Sequence, residues 1–402
     1  MNKPSRAVRL AYLVSHPIQY QAPLLRRIAA EPGIDLKVFF RSPMGLKQYV
    51  DPGFGQSIAW DTPLLDGYEH EFLPSLGDPM HVTRYLKPLN YGLARRLIEG
   101  KFDALWVHGY ARVFHWGAML AAKRHGLKLL LRDESTSISM PRGPAKRLAK
   151  RGFFAGLRSV IDGVLAIGSL NRSYYLDQGF EADRVVLMPY AVDNAHFRAG
   201  AAAASPKRGA FLASLGLSPE RPRIVFSGKL TPIKAPDVLL EAFARLGEIR
   251  PSLCFVGDGP LRGSLEARAR ALGVDGQVCF AGFRNQRELP AFYDAADVFV
   301  LPSRREPWGL VVNEAMNAGR AVVVSDQVGS GPDLVRPGEN GAIVPMDNVE
   351  ALAAALANVL TSPERSAAMG RRSLEIIDRW SFDEDIVGLK HALSRVGLPC
   401  GS

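Results

Sequence analysis

Short apolar runs alternate with helical patterns along most of the 402-residue chain. In the first half, the apolar runs span residues 8–15, 35–40, 103–109, 128–132, 163–168 and 184–190. In the second half, they span residues 223–228, 252–257, 277–282, 297–302 and 321–326. Strands that alternate with helices are typical of parallel sheets with helices on both faces. The pattern therefore predicts two doubly wound α/β sheets, one in each half.

The stretch between the two sets of strands has a different composition. It contains the alanine-rich run 199–208 together with Pro206 and Pro219, and its side chains offer little to bury. We therefore predict four parts, with the following bounds: an N-terminal domain at 1–194, a linker at 195–221, a second domain at 222–380 and a final segment at 381–402. Ligands of open α/β sheets bind at the carboxyl ends of strands, so the loops there are expected to carry the chemistry.

Composition narrows the class of protein. With 47% hydrophobic and 22% charged residues and no run of eighteen apolar residues, the chain is expected to be globular rather than membrane-spanning. The apolar run Val8 to Val14 predicts a strand rather than a secretion signal. The three cysteines, Cys254, Cys279 and Cys400, lack the spacing of a disulfide scaffold, a zinc ribbon or a redox pair, which favours the cytoplasm.

Positive charge is concentrated in the first half, where residues 1–200 carry 27 basic and 17 acidic side chains, against 23 of each in residues 201–402. Residues 142–158 combine basic side chains (Arg142, Lys146, Arg147, Lys150, Arg151 and Arg158) with apolar ones (Leu148, Phe153, Phe154 and Leu157). Such a helix can dock on an anionic membrane surface, here the inner face, or bury its apolar stripe in the first domain. Nucleic acid is not a predicted partner, since no binding motif is present.

Two glutamates flank a predicted helix start. Pro307 and Gly309 hold Glu306 in a loop, and Glu314 lies in the second turn of a helix that begins at Leu310. Free N–H groups at a helix start attract a diphosphate, and carboxylates on either side can accept hydrogen bonds from ribose and sugar hydroxyls. The alternative is that both glutamates face solvent.

Two lysines and a glycine turn follow other strands of the second half. Lys229 and Lys234 lie five residues apart in a strand-to-helix loop, where both could reach one diphosphate or where both could be solvated. The turn Gly257-Asp258-Gly259-Pro260 would let the backbone approach a ligand closely.

Four segments in this half resemble, in order and in spacing, the C-terminal domain of glycosyltransferase family 4: SGKLTPIKAPDVLLEAF, FVGDGPL, AGFRNQRELPAFYDAADVFVLPS and EPWGLVVNEAMNAGRAVVVSD. The resemblance covers residues 223 to about 347. It implies the GT-B fold, in which two Rossmann-like domains face each other across a cleft. It further implies transfer of a sugar from a nucleoside-diphosphate sugar to a glycan, lipid-linked or small-molecule acceptor, as in polysaccharide or glycoconjugate biosynthesis. Retention of anomeric configuration is implied, with no metal and no cofactor.

The resemblance also implies roles for individual residues. Glu306 would lie near the donor sugar, Glu314 on the ribose, and Lys229 and Lys234 on the diphosphate. The remaining donor contacts would come from Gly257, from the backbone of Trp308, Gly309 and Leu310, and from the turn Gly282-Phe283-Arg284, which would hold the base. UDP, GDP and ADP sugars all remain open. The predicted catalytic residues are Glu306, Lys234 and Asp133.

The first half resembles the family less closely. His108 ends a strand similar to one of the family, and His16 stands where relatives often have a glycine pair. His16 could donate to a phosphate or a sugar hydroxyl, or cap the next helix. Where relatives often place an active-site histidine, this chain has Arg132-Asp133-Glu134-Ser135. We expect Asp133 to face the anomeric carbon, kept ionised by Arg132, and Glu134 to cap the next segment of the chain, although either carboxylate could replace the histidine.

The run Asp383-Glu384-Asp385 matches a metal-binding DxD pattern, but Ser381 three residues before Glu384 forms a capping box. We therefore predict a helix start and no metal. The resemblance implies that this last helix returns to the first domain. Two other functions remain open: a nucleotide-sugar epimerase or hydrolase on the same fold, and a binding protein without catalysis.

Overall fold

The computed structural model describes residues 6–51, 53, 56–80, 87–138 and 144–400. The chain divides into two compact units. Unit 1 comprises Met1–Tyr49, Thr62–Tyr190 and Phe382–Ser402, and unit 2 comprises Val50–Asp61 and Ala191–Ser381. Each unit is built on one parallel sheet with helices between its strands, which confirms the predicted α/β class.

The strands, in chain order, are β1 (Val8–Val14), β2 (Ile34–Phe40), β3 (Tyr49–Asp51), β4 (Gln56–Ile58), β5 (Glu69–Phe72), β6 (Ser75–Leu76), β7 (Leu89–Asn90), β8 (Ala104–His108), β9 (Lys128–Arg132), β10 (Gly163–Ala166), β11 (Val185–Leu187), β12 (Arg223–Ser227), β13 (Ser252–Val256), β14 (Val278–Gly282), β15 (Val298–Leu301), β16 (Ala321–Ser325) and β17 (Gly341–Val344).

The α-helices are α1 (Gln21–Ala29), α2 (Leu93–Glu99), α3 (Val113–Arg124), α4 (Pro144–Val160), α5 (Ser169–Asp177), α6 (Asn194–Ala204), α7 (Arg208–Ser214), α8 (Pro236–Ala244), α9 (Arg262–Ala271), α10 (Leu289–Ala295), α11 (Leu310–Asn317), α12 (Gly331–Leu334), α13 (Val349–Val359), α14 (Pro363–Ile377) and α15 (Phe382–Arg395).

Unit 1 contains a seven-stranded sheet in the order β11-β10-β9-β8-β1-β2-β5. The pairs are parallel throughout; β1 and β2, for example, run in register from Val8 opposite Ile34 to Val14 opposite Phe40. The inner strands β1 and β8 are almost entirely buried and apolar, as expected for a sheet covered on both faces.

The last helix, α15, belongs to unit 1. Asp385 in its first turn forms a buried ion pair with Arg132, at 3.3 Å between Oδ1 and Nη2, and Asp383 pairs with Arg27 at 2.6 Å. Burial raises the pKa of Asp385 to about 7. Asp383 and Asp385, the outer residues of the DxD pattern, thus contact arginines of unit 1. All three acidic residues lie in the first turn of a helix, where the helix dipole stabilises negative charge.

Unit 2 contains a six-stranded parallel sheet in the order β14-β13-β12-β15-β16-β17. The structure differs from the predicted linker, because most of residues 195–221 form helices α6 and α7 of this unit. They bury Phe197 and Leu212, and Arg208 pairs with Asp294 at 2.6 Å. Alanine is the strongest helix former, so the alanine run extends a helix that needs few large side chains to pack.

Unit 2 also includes Val50–Asp61, which the sequence assigns to the N-terminal domain. The amide of Asn285 donates to the carbonyl of Ala59 at 2.6 Å, and the Arg287 N–H donates to the Asp61 carboxylate at 3.1 Å. These bonds join residues 226 apart in sequence, which no local pattern indicates.

The basic helix α4 buries part of its apolar stripe in unit 1. Phe154 and Leu157 join the core, and the Lys150 ammonium lies 4.0 Å from the centre of the Tyr174 ring. Arg151 and Phe153 are exposed. Arg142 and the side chains of Lys146, Arg147 and Leu148 lie outside the described residues. Within the described part of the chain, no helix is long and apolar enough to cross a bilayer.

The contact of α15 with β11 depends on a glycine. A Cβ atom at Gly388 would lie 2.2 Å from the carbonyl oxygen of Leu187, which is closer than non-bonded atoms can approach. We predict that Gly388→Ala destabilises the protein by about 1–3 kcal/mol, because the helix must move away from the sheet. In urea denaturation its midpoint should fall. The control Gly263→Ala, in α9, meets no atom within 4 Å and should leave the midpoint unchanged or raise it. Equal midpoints for Gly388→Ala and the parent would contradict this packing.

Candidate active site

Lys234 and Glu306 contact each other at the carboxyl edge of the unit 2 sheet. Lys234 ends a 3₁₀ turn (Pro232–Lys234) that follows β12, and Glu306 lies in the loop after β15. Since β12 and β15 are neighbouring parallel strands, their following loops meet at one edge. The Lys234 ammonium donates to Oε2 of Glu306 as a partly buried ion pair.

A third residue, Arg304, connects the two loops through its backbone and its side chain. The backbone N–H of Arg304 donates to the carbonyl of Ile233 at 2.8 Å. Its guanidinium donates to the carbonyl of Pro232 at 2.6 Å and to the carboxylate of Asp237 at 2.7 Å. Because these bonds connect the Lys234 turn to the loop that carries Glu306, the ion pair lies on a rigid support.

The backbone of Glu306 is held from its other side by residues that follow β16. Its N–H donates to the carbonyl of Gln327 at 3.0 Å, and its carbonyl accepts from Gly329 at 2.9 Å. A Cβ atom at Gly329 would lie 1.8 Å from the carbonyl oxygen of Pro307, so only glycine allows this approach. The loop is therefore held by backbone contacts, none of which involves the side chain of Glu306.

Helix α11 begins immediately after this loop. Gly309 has a φ of +94°, and a Cβ atom there would lie 2.9 Å from Leu301, so the entry to the helix requires glycine. No side chain among the described residues caps the first turn. The Trp308 side chain is buried, with its Nε1 donating to Asn313 at 3.0 Å and its ring centre 5.2 Å from that of Trp380.

Glu314 lies inside α11 and is 5% exposed, while Glu306 is 9% exposed. Neither glutamate is therefore an ordinary surface residue. The hydroxyl of Tyr293 donates to Oε2 of Glu314 at 2.5 Å. Burial raises the pKa of Glu314 to about 7, so its carboxyl group changes charge near neutral pH.

Lys229 and Gly257 follow the neighbouring strands β12 and β13. The Lys229 side chain passes close to Gly53, where a Cβ atom would lie 2.8 Å from Nζ. Gly257 has a φ of +139°, and a Cβ atom there would lie 1.9 Å from the carbonyl oxygen of Gly228. Contact with the backbone of Gly228 therefore requires a glycine at position 257, and the approach of a ligand to Gly257 stays a prediction.

The predicted base-binding turn follows the edge strand β14. Arg284 donates to the carbonyl of Ala281 at 2.8 Å and to Glu288 at 3.0 Å, so its guanidinium folds back onto the turn. The ring of Phe283 is half-buried and meets Trp60 edge to face, with 6.0 Å between ring centres.

In unit 1, His16 and His108 are neutral imidazoles near the carboxyl edge of the sheet. Nδ1 of His16 lies 2.8 Å from the Ser15 hydroxyl, and burial lowers its pKa to about 4. Burial, with the charge of Arg132 nearby, lowers the pKa of His108 to about 3. Nδ1 of His108 lies 3.0 Å from the Tyr12 hydroxyl. Both rings can accept a hydrogen bond at neutral pH.

Asp133 and Glu134 have hydrogen-bond partners that the sequence does not indicate. The Asp133 carboxylate is buried and accepts from Tyr175 at one oxygen and from Ser135 at the other, both at 2.5 Å. The expected partner, Arg132, instead pairs with Asp385, and burial raises the pKa of Asp133. With both oxygens engaged, Asp133 is poorly suited to act at an anomeric carbon.

Glu134 accepts from the Tyr190 hydroxyl at 2.8 Å, and its capping role stays a prediction. Two further contacts near the candidate site could not be predicted from the sequence: those of Tyr293 and Trp60. Tyr293 occupies an apolar position of α10, and nothing in its pattern indicates a bond to Glu314. Trp60 lies in sequence within the predicted N-terminal domain, although it contacts Phe283 of unit 2.

Comparison with known proteins defines the class of this fold and site. The family model described as glycosyl transferases group 1 matches residues 208–375. The structure of HepE from Anabaena in complex with UDP-glucose shares the fold, with a TM-score of 0.71, 17% identity and coverage of 96% of this chain and 99% of that one.

Two relatives are D-inositol 3-phosphate glycosyltransferases. The one from Saccharomonospora viridis is 32% identical over 302 residues, covering 70% of this chain and 68% of the relative. The one from Segniliparus rotundus is 33% identical over 223 residues, covering 54% of this chain and 48% of the relative, so the chain spans about half of that relative's length. The chain belongs to the group 1 glycosyltransferases, a family of glycosyl-transferring enzymes with the GT-B fold, which confirms the resemblance to glycosyltransferase family 4.

Glu314 predicts a pH dependence of stability. Its raised pKa means that the folded carboxyl group keeps its proton where the unfolded chain loses it, so its contribution is full below about pH 4.5 and is lost as the pH rises through about 7. Glu314→Gln mimics the protonated group. Between pH 5 and pH 8, its free energy of unfolding should therefore rise relative to the parent by on the order of 2 kcal/mol.

Urea denaturation at the two pH values measures this difference. Glu375→Gln is the matched control, because that glutamate is exposed and pairs only with Arg372 among the ion pairs of the described chain. A stability difference between Glu314→Gln and the parent that stays constant from pH 5 to pH 8 would show that the buried carboxyl group does not titrate abnormally.

Proposed function

We propose that this chain transfers a sugar from a nucleoside-diphosphate sugar to an acceptor, and that unit 2 holds the donor. One observation carries the proposal: the ion pair of Lys234 and Glu306 lies in loops at the carboxyl edge of the sheet, and the loop of Glu306 leads into the uncapped start of α11. A cation, a carboxylate and free backbone N–H groups are the groups that a diphosphate joined to a sugar requires.

The diphosphate contacts would be made by Lys229, Lys234 and the first N–H groups of α11. Negative charge grows on the departing diphosphate as the bond to the sugar breaks, and fixed positive groups stabilise that charge without reorganising. A lysine ammonium acts as a point charge that can follow the phosphate oxygens. These groups supply the positive charge needed, so the proposed reaction requires no metal ion and no cofactor.

The two glutamates would bind hydroxyl groups at opposite ends of the donor. Glu306 uses Oε2 to hold Lys234, which leaves Oε1 to accept from a hydroxyl of the sugar. Glu314 accepts from Tyr293 through Oε2, which leaves Oε1 for the ribose. The base would contact the turn at Phe283 and Arg284.

We further propose that the configuration of the anomeric carbon is retained and that the leaving phosphate helps to deprotonate the acceptor. Asp133, the carboxylate considered for a direct role, has both oxygens engaged by Tyr175 and Ser135. His16 and His108 of unit 1 are neutral imidazoles that can accept hydrogen bonds, so they are the candidates for binding hydroxyl groups of the molecule that receives the sugar. UDP-glucose, bound in the HepE structure, is the first donor to test, and D-inositol 3-phosphate, named for the two relatives, is the first acceptor.

We also propose that the protein is cytoplasmic and docks on the inner face of the membrane, where an acceptor of a glycoconjugate pathway would be found. Helix α4 is the proposed contact with the membrane. Arg151 and Phe153 are exposed on it. Cations and aromatic rings on one helix favour an anionic lipid surface.

Lys234 tests the donor site. We predict that Lys234→Ala weakens UDP binding by at least about tenfold, or about 1.4 kcal/mol, and lowers the transfer rate by about a hundredfold, since the ammonium matters most as charge develops. Isothermal titration with UDP and a transfer assay with UDP-glucose measure the two effects. Lys207→Ala, which removes an exposed lysine of the same unit, should leave both unchanged.

Three outcomes would oppose the proposal. Unchanged UDP affinity in Lys234→Ala would remove the proposed diphosphate contact. Conversion of the sugar without any acceptor would instead identify an epimerase or a hydrolase. Donor binding without transfer to any acceptor supplied would favour the binding-protein alternative. The anomeric proton of the product, observed by NMR, distinguishes retention from inversion, and added EDTA should not change the rate.

Membrane docking is tested by sedimentation with vesicles that contain anionic lipid. Neutralising Lys146, Arg147, Lys150 and Arg151 to glutamine should release the protein from these vesicles, because each cation near an anionic surface contributes about 1 kcal/mol. The matched control neutralises four exposed basic residues elsewhere: Lys101, Arg124, Lys207 and Arg250. Equal sedimentation of the two fourfold variants would refute docking through α4.

A further inference from the structure

Two parts of one short stretch of unit 2, Val50–Asp61, lie at the two ends of the proposed nucleotide site. The first part comprises residues 58–61, and we call it the 58–61 segment. It lies against the turn after β14, where the proposed function places the base. Gly53, which precedes it in the same stretch of unit 2, lies against the side chain of Lys229, where the proposed function places the diphosphate.

Two hydrogen bonds fix the 58–61 segment to the turn. Nδ2 of Asn285 donates to the carbonyl of Ala59 at 2.6 Å, and the backbone N–H of Arg287 donates to Oδ2 of Asp61 at 3.1 Å. Ile58, at the start of the segment, is buried. The segment is therefore held on both sides of Trp60, through the carbonyl of Ala59 and the carboxylate of Asp61.

The ring of Trp60 meets that of Phe283 at an angle of 64°, with 6.0 Å between their centres. Both residues are only partly buried, so part of each side chain is exposed to solvent. Beside two aromatic rings at this angle, a planar group can stack on one ring while its edge contacts the other. A nucleobase is such a group, and stacking on aromatic side chains tolerates any base.

Gly53 lies so close to Lys229 that a larger residue at position 53 would collide with the lysine side chain. A Cβ atom at this position would lie 2.5 Å from Cδ and 2.8 Å from Nζ of Lys229, so any larger residue would push the lysine aside. The same short stretch of chain thus meets the lysine proposed for the diphosphate and the ring proposed for the base.

We propose that Trp60 is a base-binding residue of the donor site and forms, with Phe283, its aromatic wall. The inference rests on the proposed function, since it requires a nucleotide in unit 2. It adds a ligand contact from a part of the chain that precedes the family's matched region by almost 150 residues. Asn285 and Asp61 act as positioning residues for Trp60.

The test compares Trp60→Ala, Trp60→Phe and the parent by isothermal titration with UDP and, separately, with inorganic pyrophosphate. Trp60→Ala should weaken UDP binding about tenfold, since stacking is lost, and should leave pyrophosphate binding unchanged, since the lysines remain. Trp60→Phe keeps an aromatic ring and should retain most of the affinity. Trp116→Ala, which removes a half-buried tryptophan of unit 1, is the matched control and should bind UDP like the parent.

Fluorescence provides a second measurement. UDP should quench part of the tryptophan emission of the parent, and Trp60→Phe should lose that quenching while it still binds. Asp61→Ala removes the acceptor for Arg287 without touching a ring, and it should show part of the loss seen with Trp60→Ala.

The outcomes separate this inference from the proposed function. If the parent binds UDP and Trp60→Ala binds it equally well, the inference is wrong and the proposed function stands. If Trp60→Ala binds more tightly, the 58–61 segment occupies the site rather than lining it, and the inference is again wrong. If the parent binds none of UDP, GDP, ADP or pyrophosphate, the proposed function fails and the inference fails with it.

Discussion

The candidate site of unit 2 depends on the ion pair between Lys234 and Glu306. Two charges that are mostly removed from water are tolerated only when they are paired, because an isolated buried charge costs several kcal/mol. The pair therefore holds together two loops that would otherwise have to keep their charges in solvent. It also leaves one carboxylate oxygen and the remaining ammonium protons to bind a ligand, which makes the same contact both a support and a recognition element.

The backbone holds this pair in place through constraints that the side chains do not supply. Arg304 joins the Lys234 turn to the Glu306 loop, and Gly329 lets the residues after β16 approach Pro307. Gly309 gives α11 an entry that other residues would strain. A site built in this way can keep its geometry while its ligand-facing side chains change, which is consistent with one fold serving many sugars and acceptors.

Much of the unit 2 site can be predicted from the sequence, because loops after neighbouring parallel strands must meet at one edge. The rule that ligands bind at the carboxyl ends of strands, together with the family resemblance, predicts that Lys234, Glu306 and the start of α11 lie together. The same reasoning could not find Tyr293 or Trp60, whose contacts join residues distant in sequence and depend on side-chain packing. It also failed at Asp133, since adjacency in sequence suggested Arg132 as its partner, whereas Arg132 turns to Asp385 and Asp133 to Tyr175. Helices α6 and α7 could not be predicted either, because the alanine-rich stretch has few large apolar side chains whose spacing would indicate a buried helix face.

Hydrogen–deuterium exchange of backbone amides in the presence of UDP tests the central claim most directly. If a diphosphate binds between the Lys234 turn and the start of α11, exchange should slow in peptides that contain residues 229–235 and 308–312, and the unit 1 sheet should be unaffected. Bound UDP that leaves both peptides unprotected, or that protects unit 1 alone, would contradict the account.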